Sequence, residues 1–176
     1  DEIVSLAQAV QAAGANIIST HFCWHEAPVP TIATMVPRAA FTSVTGRLRQ
    51  VVQVPVITSN RINMPAVAEA VLARGDADLV SMARPMLADP ELVNKSQRGE
   101  SHLVRPCIGS NIGCVGQLMS TGVLSCVVNV AAAQETAVSF DPPGPAPERK
   151  KVLVVGGGPA GLEAARTAAL RGHEVH

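Results

Sequence analysis

Residues 55–85 read PVITSNRINMPAVAEAVLARGDADLVSMARP. Pro55 to Ser59 is a short β-branched run that suits a buried strand, and Ala77 to Met82 is a second. Between them Pro65 to Arg74 has the composition of a helix, with Pro at its start and Gly75 at its close. Strand, helix, strand with no hairpin signal is the pattern of a parallel crossover. Working toward the N-terminus, the spacing predicts a helix from about Ala40 to Val52, a loop carrying Pro28, Pro30 and Pro37, and a buried strand at Asn16 to Thr20. Before these, Leu6, Ala7, Val10 and Ala13 form an apolar helical stripe that stops at Gly14. Toward the C-terminus a short helix follows Pro90. Helix and buried strand alternate three times within about 100 residues, which makes this an α/β chain with a parallel sheet covered by crossover helices.

Composition narrows the partners. Of the 176 residues, 47% are hydrophobic and 16% charged, which excludes global disorder. Fourteen Lys+Arg balance fourteen Asp+Glu, so no basic field exists to hold nucleic acid or an anionic membrane. No apolar run reaches the roughly 18–20 residues a membrane helix needs, and the acidic Asp1-Glu2 start is unlike a secretory leader. These features predict a cytoplasmic protein whose four cysteines are kept reduced and available for metal.

From Val104 to about Asn129 the texture changes to Cys, Gly, Ser and Asn without periodicity, the pattern of an irregular metal-binding or loop module. Residues 141–148 carry four prolines in eight residues, as a stiff spacer between domains does. After it, Lys151 to Val155 reads as a strand, Gly156 to Gly161 as a tight turn, and Leu162 to Arg171 as a helix ending at Gly172. The chain stops at His176 inside an expected further strand, so we expect a fragment truncated at both ends.

Three constellations carry chemistry. The first lies beyond the carboxyl ends of the strands, where ligands of such folds sit: Trp24-His25-Glu26, Asn60-Arg61-Ile62 and Ala83-Arg84-Pro85. Arg61 and Arg84 are suited to a phosphate or an anionic flavin ring, or else to salt bridges on a barrel rim. His25 is a candidate general acid near neutral pH, although a loop histidine is more often not catalytic. The second is Cys107, Cys114 and Cys126 in a Gly-rich loop able to wrap a soft metal centre. Three ligands are visible and a fourth is not; zinc with His102 and three unrelated buried cysteines are the other readings. The third is Gly156-x-Gly158-x-x-Gly161, with Pro159 and Ala160 opening the helix, a pyrophosphate-binding turn that leaves FAD and NAD(P) undistinguished.

Taken together, Trp24-His25-Glu26 with residues 30–34, the stretches 58–63 and 76–85, Leu87-Ala88-Asp89-Pro90, the Cys107 loop and Gly156–Gly161 resemble the old yellow enzyme-like NADH:flavin oxidoreductases. Within that family the similarity is to the bacterial NADPH-dependent 2,4-dienoyl-CoA reductase type, beside trimethylamine dehydrogenase. The resemblance implies four parts. Residues 1–100 would be the C-terminal part of an FMN-binding TIM (β/α)8 barrel and 101–140 an iron–sulfur loop. Residues 141–150 would be a linker, and 151–176 the start of a Rossmann-like FAD/NAD(P) domain.

It also implies a route from NADPH through FAD and a 4Fe–4S cluster to FMN, which reduces an acyl-CoA. Arg61, Ala83 and Arg84 would hold FMN. His25 would act with an upstream tyrosine, and this chain contains no Tyr. Glu26, Ala27, Pro28 and Val29 would line the acyl-CoA pocket. Gly156, Gly158, Pro159, Ala160 and Gly161 would approach the FAD pyrophosphate, and Cys107, Cys114 and Cys126 would hold the cluster. Two departures stand out. Ser110 occupies the position of a family cysteine, leaving open a serine ligand, a three-iron centre, an absent centre or Cys23 as substitute. His21-Phe22-Cys23 replaces small residues and would reshape the substrate mouth. An amine dehydrogenase of the same architecture and a non-catalytic, metal-stabilised scaffold are the alternative functions.

Overall fold

The computed structural model describes residues 1–24, 27–28, 31–139 and 144–176. They form two compact units, Asp1–Ala132 and Ala133–His176. In the first, three strands pair in the order β1 (Ile18–Ser19), β2 (Val56–Thr58), β3 (Leu79–Val80). All pairings are parallel, with Ile18 opposite Val56 and Ile57 opposite Leu79. Helix α1 (Glu2–Ala12) precedes β1, and the crossovers contain α2 (Thr42–Arg49) and α3 (Pro65–Ala73).

Two apolar clusters hold these layers together. Ala7, Leu48, Val52 and Val56 pack with Ile3, Ile18 and Phe22, while Ile62, Val71 and Ala77 pack with Val67, Val80 and Met82. Each fully buried aliphatic side chain contributes about 2 kcal/mol. Helix α2 also meets the sheet through polar groups. The buried Thr45 hydroxyl lies 3.0 Å from that of Thr20 on the β1 side and 2.9 Å from that of Thr58 in β2. Every hydroxyl in this row has a partner, which burial requires.

Two carboxylates fix the connections. Asp78 accepts the Val56 amide at 2.9 Å and Arg49 Nε at 2.9 Å, clamping the start of β2 to the end of α2. Asp89, fully buried, accepts Lys95 Nζ at 2.8 Å and the amides of Glu91 and Arg105. It thereby ties α4 (Arg84–Ala88) and α5 (Leu92–Gln97) to the chain beyond the 3-10 turn Ser101–Leu103.

The structure differs from the sequence expectations at short elements. Helix α4 was not foreseen because five residues show no period; Pro85 lies in its first turn, where a missing N–H costs nothing. The stretch expected to be irregular contains a π-helical turn, Ile112–Gly116, running into α6 (Gln117–Thr121). The strands are shorter than the apolar runs that announced them, and α2 is trimmed to Thr42–Arg49. In the second unit, β4 (Lys151–Val152) and β5 (Glu174–Val175) pair in parallel, joined by α7 (Pro159–Leu170). Helix α7 begins before the expected Leu162 because Pro159 sits in its first turn. Of the spacer, residues 141–143 lie outside the described residues. No helix among the described residues is long and apolar enough to cross a membrane.

The Val56 amide first, then Arg49, hold the Asp78 carboxyl below the usual carboxylate range. A depressed folded-state value stabilises above the unfolded value of about 4, and that contribution disappears as pH falls through the folded value. Asp78→Ala is therefore expected to cost about 1 kcal/mol at neutral pH. In denaturation series on the intact protein, the gap to wild type should narrow as the pH is lowered below about 4. A gap undiminished under strong acid would contradict this role.

Candidate active site

The three parallel strands end at a common cleft of about 220 Å³. His21 lines it beyond β1, Ser59, Asn60 and Arg61 beyond β2, and Ala83 and Arg84 beyond β3, with Thr31 and Ile32 on the facing loop. Asn60 (φ +75°) and Arg61 (φ +57°) are consecutive left-handed residues that reverse the chain at the end of β2. For a long side chain this backbone costs about 1 kcal/mol, so other contacts must hold it. The Ala39 amide donates to the Arg61 carbonyl at 3.0 Å, and Arg61 Nε donates to the Val36 carbonyl at 2.9 Å.

Both arginines are oriented by neutral oxygens. Arg61 Nη2 also donates to the Thr34 carbonyl at 3.3 Å. Arg84 Nη1 donates to the Ile32 carbonyl at 2.9 Å and to Asn111 Oδ1 at 2.7 Å. Among the described residues neither guanidinium pairs with a carboxylate. Burial first, then the charge of Arg84, hold Arg61 below the ordinary guanidinium value; Cys107 acts in the opposite sense and Arg38 adds to the lowering. Both arginines line one cleft, and neither has a carboxylate partner among the described residues. Of the two sequence readings, the rim salt bridges are absent among the described residues.

His25, Glu26 and Val29 lie outside the described residues. Ala27 is half-buried and Pro28 exposed, and neither borders the cleft. His21 does border it, a position that sequence reasoning noted only for its bulk. Its contacts to Ser59 Oγ and Asn60 Nδ2 are long, 3.4 Å each. The signal that could have found it is its place one residue beyond the buried Thr20 at a strand end.

The cysteine loop is tied by backbone contacts rather than gathered around its thiols. The Cys107 carbonyl accepts Asn63 Nδ2 at 2.8 Å, and the Ile108 carbonyl accepts Thr34 Oγ1 at 2.7 Å. Further along, Gly113 packs so close to Cys126 that a Cβ would lie 3.1 Å from its Cα, and Ser125 Oγ donates to the Gly113 carbonyl at 2.8 Å. Among the described residues no three His, Cys, Asp or Glu side chains converge as on a metal ion. The sets built on Cys107, Cys114 and Cys126, whether completed by Ser110, His102 or Cys23, are not assembled.

Residues 1–102 match the NADH:flavin oxidoreductase / NADH oxidase family. The chain belongs to that family. It is 45% identical over 168 residues to a metal reductase of Desulforamulus reducens, covering 96% of this chain and 25% of that protein. It is 42% identical over 128 residues to a cinnamate reductase of Clostridium sporogenes, covering 73% and 19%. A solved structure of 2-naphthoyl-CoA reductase with 2-naphthoyl-CoA superposes with a TM-score of 0.88 at 33% identity, over 98% of this chain and 26% of that one. The chain thus spans between about a fifth and a quarter of the length of these relatives. Amine dehydrogenases are also among them.

FMN, which the family implies, suits the cleft, whose two arginines have no carboxylate partner among the described residues. The cavity is smaller than the roughly 300 Å³ at which ligand pockets begin, so it accommodates part of a flavin nucleotide. A four-thiolate cluster does not suit the loop of this NADH:flavin oxidoreductase chain, which offers the three thiols of Cys107, Cys114 and Cys126 beside Ser110, thiols that do not converge among the described residues. In the second unit, Gly156 has φ +117°, a conformation that only glycine adopts freely. A Cβ at Gly161 would run into the Gly156 carbonyl. Gly157 and Gly158 face open space, with nothing within 4 Å of a built Cβ, and Gly158 is extended (φ −77°, ψ 175°). Protein packing therefore does not explain glycine at Gly158, whereas it does at Gly161.

Two outcomes follow. Gly161→Ala should destabilise the second unit by about 2 kcal/mol in thermal melts, with Gly158→Ala close to wild type; equal effects would contradict the packing argument. Iron analysis of anaerobically purified protein should show Ser110→Cys binding more iron and sulfide than wild type, and equal, full loading in both would show that serine suffices.

Proposed function

We propose that the protein is a flavin-dependent ene-reductase acting on a carbon–carbon double bond conjugated to an acyl thioester, with 2,4-dienoyl-CoA as the substrate. The observation that carries this reading is the pair Arg61 and Arg84, which lie beyond the ends of parallel strands without a carboxylate partner among the described residues. The cinnamate and naphthoyl-CoA reductases among the relatives support a conjugated acyl group as substrate. FMN, when bound, supplies hydride transfer to and from carbon.

The chain's own residues do the rest. Arg61 and Arg84 bind the phosphate, and the left-handed backbone at Asn60–Arg61 delivers one of them at a fixed position. Ala83, in the same cleft, contributes to the FMN site through its backbone. His21 and Asn60 border the same space and shape what enters it. His25 donates the proton that completes saturation, and Glu26, Ala27, Pro28 and Val29 form part of the acyl-CoA pocket. The loop Gly156, Gly158, Pro159, Ala160 and Gly161 would hold the pyrophosphate of FAD, which would supply NADPH-derived reducing equivalents; the open space at Gly158 supports this role. No electron step is assigned to the Cys107 loop, because its donors do not fit a four-thiolate cluster.

The test is made on the intact protein. It should release FMN on denaturation and oxidise NADPH in the presence of a 2,4-dienoyl-CoA, with loss of the diene absorbance. Formaldehyde release from dimethylamine without acyl-CoA turnover would replace the reading by an amine dehydrogenase. Reduction of a chelated metal ion alone would replace it by a metal reductase. A colourless protein that takes up no flavin would overturn it in favour of a scaffold.

A further inference from the structure

The residue after Ser110 is bonded to the anion site. Asn111 sits in the left-handed region (φ +61°), and its side chain reaches from the cysteine loop to the strand-end cleft. Its Oδ1 accepts Arg84 Nη1 at 2.7 Å, and its Nδ2 donates to the Ile32 carbonyl at 3.1 Å. The same Ile32 carbonyl accepts Arg84 Nη1 at 2.9 Å. Asn111, Arg84 and Ile32 thus close a triangle in which each partner's direction is set by the other two. Arg61 is framed by the same two loops: Thr34, whose carbonyl accepts Arg61 Nη2, donates its hydroxyl to the Ile108 carbonyl. Gly109 lies so near that a Cβ would stand 2.7 Å from Arg61 Nη1.

We propose that Asn111 is a positioning residue of the flavin-phosphate site, aiming Arg84 through an amide oxygen that orients the guanidinium without cancelling its charge. This rests on the reading of Arg61 and Arg84 as the phosphate ligands. The choice of side chain follows from electrostatics. A carboxylate here would hold Arg84 as a salt bridge and compete with the phosphate for the same charge. An alanine would leave one guanidinium nitrogen with a single acceptor and the arginine freer to rotate. Asparagine supplies an acceptor, a donor for Ile32 and tolerance of the left-handed backbone, a combination few residues offer. The cysteine loop contributes to the flavin site by this bond whether or not any metal occupies its thiols.

The experiment compares FMN with riboflavin, which lacks the phosphate, by flavin-fluorescence titration of the intact apoprotein. Asn111→Asp should raise the Kd for FMN about tenfold, equivalent to about 1.4 kcal/mol, while riboflavin affinity stays within about twofold. It should also flatten the salt dependence of FMN binding. Asn111→Ala, which adds no charge, should weaken FMN a few-fold with the same indifference to riboflavin, and it serves if the aspartate variant fails to fold. Equal losses for both flavins would reduce Asn111 to a structural residue and overturn the proposal, as would no loss at all. Arg84→Gln separates the two levels. If it fails to discriminate FMN from riboflavin, the phosphate reading itself fails; if it discriminates and the Asn111 variants do not, only the role of Asn111 fails.

Discussion

Two arginines that border one cleft repel each other, and a fold that places them there without carboxylate partners among the described residues has to restrain them by other means. In this chain the restraint comes from neutral acceptors: the carbonyls of Ile32, Thr34 and Val36 and the amide of Asn111. Carbonyl and amide dipoles lower the energy of a cation and set its direction while leaving its net charge available. Much of the first unit serves that arrangement. The parallel sheet brings the ends of β2 and β3 side by side, the left-handed pair Asn60–Arg61 turns the chain, and the 31–36 loop supplies acceptors for both arginines.

The scaffold behind the cleft is tied by polar contacts. Asp78 joins the start of β2 to α2, the threonine row joins α2 to the sheet, and Asp89 ties the helices after β3 to the segment that leads into the cysteine loop. A buried carboxylate such as Asp89 is tolerable because Lys95 and two backbone amides satisfy it; without them its desolvation would cost several kcal/mol. Each connection passes through a named polar group, so the cleft geometry is set by hydrogen bonds as well as by apolar packing.

Legibility in the sequence followed the physics of each element. The alternation of helix and buried strand was readable because parallel strands are apolar on both faces and α3 carries Pro65 and Gly75 as punctuation. Arg61 and Arg84 were readable from their position after strands. The short helices α4 and α6 were not, since five residues carry no period. Nor was Asn111, because its role depends on a contact to Ile32 distant in sequence. Ser110 announced an altered sulfur site, but only the structure showed that the three thiols do not converge among the described residues. In the second unit, Gly156 and Gly161 are required by backbone conformation and packing, whereas packing does not account for glycine at Gly157 or Gly158.

The arginine pair is the element on which the proposed flavin site rests. The most direct measurement is a crystal structure of the intact protein with FMN. The account predicts the FMN phosphate between Arg61 and Arg84, within hydrogen-bond distance of both, with the bond from Arg84 to Asn111 retained. A phosphate anchored on other groups, with both guanidiniums still bonded only to carbonyls of the 31–36 loop and to Asn111, would contradict it.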